Sequence, residues 1–124
     1  MTTWDIHIFN ADENQDFLDD LANFYEDENY EDLVDTLVDI CTLADSNGYA
    51  NADEAANAAC AATIAAIWAG APFSAAEAVE DYPFIKGVGE SPSDELIEHA
   101  GTVLEHVAEE EENYDLDVFL EALS

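Results

Sequence analysis

The chain has 124 residues, the length of one domain and enough to bury a single core. Hydrophobic residues make up 49% of it, which argues against disorder, while 31 Asp and Glu face a single basic residue, Lys86, for a formal charge of -30. Nucleic acid, anionic lipid and phosphate-rich ligands need Lys or Arg to neutralise them, so they are excluded as partners; basic proteins, polyamines and divalent cations are what this chain attracts.

From the N-terminus, Trp4 to Phe9 alternates weakly and is too short to stand alone, which predicts an extended arm or a single strand laid on a helical body. Asn10 or Asp12 then caps a helix to about Tyr25, with Glu13 and Gln15 at the matching capping-box positions. Phe17, Leu18, Leu21, Phe24 and Tyr25 form its apolar stripe, and Asp16, Asp19 and Asp20 face out. After the acidic break from Glu26 to Asn29, a second helix runs from about Tyr30 to Ala44 and stops at Asn47-Gly48.

Asn51 to Gly70 is the stretch the fold is built around. Between Ala52 and Ala69 it is mostly Ala, with Cys60, Ile64, Ile67 and Trp68, and its only charges, Asp53 and Glu54, sit in the first turn. Asn51 and Glu54 make a capping box, and Gly70 followed by Pro72 is a stop. A helix apolar on most sides has no solvent face, so it belongs at the centre of a bundle.

Ser74 and Glu77 cap a short helix to about Tyr82, Pro83 closes it, and Phe84 to Glu90 reads as a loop. Ser91-Pro92-Ser93-Asp94 starts a long helix with Leu96, Ile97, Ala100, Val103, Leu104 and Val107 inward. A last helix spans roughly Leu116 to Leu123. The fold class is therefore all-α: a single-domain bundle of about five to six helices around a buried Ala-rich helix, with a short extended N-terminal arm.

Trp4, Phe9, Asn10, Asp12, Asp16, Phe17, Leu18, Asp19 and Leu21 resemble the opening of an uncharacterised bacterial family, domain of unknown function 4259. Its members begin G-T-W-G-x-G-x-F-x-N-D and continue A-x-D-F-L-x-D-L. The segment from Tyr49 to Gly70 is similar in placement to the second half of that family. Where the family has two glycines and an Asn, this chain has Asp5, His7 and Ala11. The resemblance implies no agreed activity; toxin immunity is among the roles proposed for such small acidic proteins.

Candidate sites are few. With Gly48 as the sixth position of a calcium loop, Asp45, Asn47, Asn51 and Glu54 fall at positions three, five, nine and twelve. Leu43 would then fill the first position, where a ligand is needed, and a helix stop followed by a cap explains the same residues, so no metal is assigned. His99 and His106 are seven residues apart, about 10 Å along a helix, too far to share an ion. There is no Ser-His-acid motif, no glycine-rich phosphate loop and no Arg, and no carboxylate pair is distinguished from the rest, so no catalytic residue, cofactor or enzymatic activity is expected. Cys41 and Cys60 lie on apolar segments without C-x-x-C spacing and read as buried thiols, able to join only if their helices touch. The N-terminus lacks the pattern of a signal peptide and no stretch is apolar enough to span a bilayer, which points to a cytoplasmic protein.

What remains is the acid itself. Two patches are candidates for binding a basic protein: Glu26, Asp27, Glu28, Glu31 and Asp32, and Glu109, Glu110, Glu111 and Glu112. The second lies where a helix C-terminus disfavours negative charge. The expected function is an interaction module for a cationic protein, of toxin-immunity type; the alternatives are acidity for solubility or salt adaptation, and mimicry of nucleic acid.

A folded monomer of 13.5 kDa exposes about 6,500 Å², roughly 220 Å² per net charge, which spaces the charges about 15 Å apart. That exceeds the Debye length of about 8 Å at physiological salt but not the 30 Å or so of a dilute buffer. The melting temperature is therefore expected to rise as NaCl goes from low to moderate concentration; a flat thermal response across that range would mean the charges are already compensated.

Overall fold

The structure, a computed structural model, describes residues 4–47, 52–71, 76–87, 93–110 and 116–123. These residues form α1 (Trp4–Phe9), α2 (Asp12–Glu26), α3 (Tyr30–Asn47), α4 (Ala52–Trp68), α5 (Ala76–Asp81), a 3-10 helix (Pro83–Lys86), α6 (Asp94–Glu110) and α7 (Asp117–Leu123), with no strand among them. The fold is an all-α bundle.

α4 is the centre of it. Every residue from Ala58 to Ile67 is buried, and a run of that length covers every face of a helix, so nothing on this segment is left for water. α3 and α6 pack against α4 and against each other, and α1, α2, α7 and the 3-10 helix also pack on α4. Alanines at Ala58, Ala59, Ala61, Ala62, Ala65 and Ala66 let these neighbours come close, while Leu33, Leu37, Leu96, Val103 and Leu104 fill the space from the surrounding helices.

The end of α4 is set by the backbone. Gly70 has φ +116°, its N–H donates to the Ile67 carbonyl at 3.0 Å, and the Ala71 N–H donates to the Ala66 carbonyl at 3.0 Å. That bond pair is a Schellman motif, and glycine suits its positive φ.

Three expectations are corrected. Trp4 to Phe9 is a helix, not an extended arm: Trp4, Ile8 and Phe9 are buried together, at helical spacing, and α1 packs on α2 and α4. Alternation over so few residues does not separate the two periods, and burial on α4 decides for the helix. Neither Asn10 nor Asp12 caps α2, whose N-cap is Ala11 with no side-chain bond. Two polar side chains of its first turn reach back to α1: Asn14 Nδ2 donates to the Ile8 carbonyl at 2.8 Å and Gln15 Nε2 to the Phe9 carbonyl at 3.1 Å, satisfying open C-terminal carbonyls of α1, while Gln15 Nε2 also donates to the Ala11 carbonyl at 3.4 Å. Finally, the segment read as a loop from Phe84 begins with the 3-10 helix, whose Phe84 and Ile85 are fully buried. The Trp68 indole N–H donates to the Phe84 carbonyl at 2.9 Å and ties this turn to α4.

At α6 the cap is Ser93, whose Oγ accepts the Leu96 N–H at 3.2 Å. The expected caps at Asn51 and Ser74 lie outside the described residues.

α1 is held to the core by a polar relay. The Trp4 indole N–H donates to Thr63 Oγ1 at 2.9 Å, and the Thr63 hydroxyl donates to the Ala59 carbonyl at 2.7 Å, all of it buried. Thr63→Val keeps the shape and strands the indole N–H, an unpaired buried donor worth about 1–3 kcal/mol. Urea denaturation of this variant should show that loss; a stability equal to the parent protein would mean the relay contributes nothing.

Candidate interaction surface

The first acidic patch is assembled by the turn between α2 and α3, where Glu26, Asp27, Glu28, Glu31 and Asp32 are all exposed. α2 ends in a second Schellman motif: the Glu28 N–H donates to the Tyr25 carbonyl at 3.1 Å and the Asn29 N–H to the Phe24 carbonyl at 2.8 Å. Glu28 occupies the position that Gly70 holds at the end of α4, with φ +61°, and is the one non-glycine residue of positive φ among the described residues. A side chain there costs about 1–2 kcal/mol.

The two halves of the turn differ in what explains them. Glu31 and Asp32 lie in the first turn of α3, where the helix dipole favours acids. Asp32 also accepts from Asn29 Nδ2 at 2.7 Å, and its carbonyl accepts the Thr36 hydroxyl at 2.8 Å. Glu26, Asp27 and Glu28 stand at the C-terminal end of α2, which has no basic residue in its last turn, so the dipole opposes each of them by about 0.3–1 kcal/mol.

Aromatic rings adjoin this turn. Tyr25 lies 5.5 Å from Tyr30 and 6.2 Å from Phe84, centroid to centroid, and Phe84 lies 6.0 Å from Tyr82. Tyr25 and Tyr30 are half-buried, so part of each ring remains open beside the carboxylates. Tyr82 donates its hydroxyl to Asp19 at 2.8 Å, and that bond, with a smaller contribution from burial, pushes its phenol up to about 12. Periodicity assigned Tyr25 to the apolar stripe and gave no role to Tyr30; their nearness to the acids was legible only as positions one residue outside the acidic run.

The second patch is only partly described. Glu109 is exposed in the last turn of α6, 4.0 Å from His106 Nδ1, and α6 ends at Glu110, again with no basic residue in its last turn. The side chain of Glu110, and Glu111 and Glu112 altogether, lie outside the described residues. His106 is exposed, His99 half-buried, and His7 is exposed with its ring 5.7 Å from that of Trp4.

A family model described as domain of unknown function (DUF4259) matches residues 2–121. The chain belongs to this family. No curated protein and no solved structure matches it.

In this DUF4259 chain Asp5 and His7, which stand where the sequence resemblance expects glycine, lie within α1, a regular helix that has no need of a glycine turn. α3 continues through Asn47, so the third and fifth positions of the calcium register are helical rather than looped; Gly48 to Asn51 lie outside the described residues. No group of three or more His, Cys, Asp or Glu among the described residues is placed to hold a metal ion. Asp12, Glu13, Asp16 and Asp20 line a hollow of 510 Å³ with Phe17 and Asn57. The Asp12, Asp16 and Asp20 positions are about 6 Å apart along the axis, a spacing that gives a diffuse field rather than one coordination sphere.

Cys41 and Cys60 are free and buried on α3 and α4, two helices that pack together. Burial pushes the Cys41 thiol up to about 12, and burial with a further contribution from Cys41 pushes Cys60 up as well, so neither is a ready nucleophile. None of the described helices is long and apolar enough to cross a membrane.

The left-handed Glu28 gives a direct test of the turn. Glu28→Gly relieves the backbone and removes one opposed charge, and should raise stability by about 1 kcal/mol in urea denaturation. An unchanged or lower midpoint would contradict the strained cap.

Proposed function

We propose that this protein is an acidic interaction module that docks a cationic protein partner, of toxin-immunity type, through the turn between α2 and α3. The observation that carries this reading is the end of α2. Three consecutive acids stand where the helix dipole opposes them, and one of them takes the backbone conformation of a glycine. Residues kept against local stability are what a binding role explains. The half-open rings of Tyr25 and Tyr30 add faces on which a lysine or arginine can rest. The buried free thiols support the cytoplasm as its place of action.

A second reading is favoured by one observation: exposed acids occur on every helix from α2 to α7, as dispersion for solubility or salt adaptation would have it. Nucleic-acid mimicry needs a denser face. A surface of 6745 Å² carrying 30 net charges gives about 225 Å² to each, against roughly 107 Å² for a duplex.

A matched pair of variants separates the readings. Glu26→Gln/Asp27→Asn/Glu28→Gln and Glu77→Gln/Glu80→Gln/Asp81→Asn remove the same charge from the α2 end and from α5. With labelled oligolysine as the cation, wild-type affinity should fall about tenfold or more from roughly 20 to 200 mM NaCl. The α2-end variant should bind several-fold more weakly than the α5 variant at low salt. Equal losses in the two would assign the charge to dispersion.

A further inference from the structure

α6 and α7 pack on each other and on α4, and between them lies a hollow of 270 Å³ lined by Gly101, Glu105, Leu120, Glu121 and Leu123. It differs from the hollow on α2, whose walls are chiefly carboxylates. Here two leucines and the bare backbone of a glycine form the apolar part, and two exposed acids stand at the sides. Its volume falls below the roughly 300–1,000 Å³ of small-molecule pockets, so it suits one side chain rather than a ligand.

Gly101 makes the space. It sits in the interior of a seventeen-residue helix, where glycine is a poor helix former, and its backbone does not demand one. A Cβ built there meets only Leu123 Cβ, at 3.8 Å, which is ordinary contact, so packing does not require glycine either. The surroundings continue the same chemistry. Glu105 is one turn from Glu109 along α6, and Val118, 38% exposed, is one turn before Glu121 along α7.

We propose that this hollow seats a lysine or arginine side chain of the basic partner protein. The aliphatic stem lies on Leu120 and Leu123 in the room left by Gly101, and the cationic head sits between Glu105 and Glu121. An alkyl chain ending in a positive charge is the protein side chain complementary to an apolar floor with acidic sides. The assignment rests on the cationic-partner reading and adds a second anchor to it, on the side of the bundle where α6 approaches its acidic end.

Binding of labelled oligolysine at low salt, followed by fluorescence anisotropy with the full chain, tests it. Gly101→Met fills the hollow and Glu105→Gln removes one side of it; Asp20→Asn takes the same charge from α2, which packs on α1, α3 and α4. Both hollow variants should bind about threefold more weakly or worse, and Asp20→Asn should stay close to wild type. Melting temperatures taken alongside check the fold. If Gly101→Met is destabilised, Gly101→Ala, which adds only the Cβ that fits, takes its place and should still weaken binding. Wild-type binding that all three substitutions lower equally would overturn the hollow as an anchor and leave the cationic-partner reading standing. Failure of the wild type to bind at low salt would overturn both.

Discussion

The structure depends on one requirement: a helix with no polar side must be covered all the way round. Ala58 to Ile67 offer water no face, so α3, α6, α2, α7, α1 and the 3-10 helix are each placed by having a part of α4 to cover. Small side chains make this possible, because large ones on every side would hold six neighbours too far out to touch one another. The outer helices then carry polar residues on their remaining faces, and in this chain those are almost always acids. The net charge thus follows chiefly from the composition of the outer faces, Asp5 being a buried acid.

The same backbone device ends two helices, and the comparison separates what folding needs from what it tolerates. At the end of α4 the positive φ falls to Gly70, as sterics favour. At the end of α2 the identical hydrogen-bond pair forms with Glu28 in that place, flanked by acids at the wrong pole of the helix. Nothing in the packing of α2 asks for this. The α3 side of the same turn is the contrast, since Glu31 and Asp32 are acids where a helix start favours them.

Much of the architecture was legible in the sequence because the decisive features were long or chemically sharp. The alanine run, its Gly70 stop, the stripe of α2 and that of α6 each extend over several turns or rest on a residue with few alternatives. What was not legible was short. Trp4 to Phe9 gave too few positions to distinguish a strand from a helix, and only its burial on α4, with the Trp4 to Thr63 bond, settles it. Phe84 and Ile85 looked like loop residues next to Pro83 and two glycines, yet tertiary contact buries both. Gln15 was read as serving its own helix, whereas it and Asn14 also bond to the preceding one, a choice that depends on where α1 lies. For the candidate surface, the acids could be counted but not placed; the left-handed Glu28, the tyrosine pair and the hollow between α6 and α7 are properties of the folded chain.

Lys86 closes the 3-10 helix that Trp68 fastens to α4, and it is exposed beside the buried Ile85. Because the chain has no other lysine and no arginine, a protease that cuts after basic residues finds a single bond to attack, the one between Lys86 and Gly87 at the end of the 3-10 helix. For the same reason a reagent selective for lysine amines marks one known spot on the surface, giving the molecule a built-in handle remote from its carboxylates in chemistry.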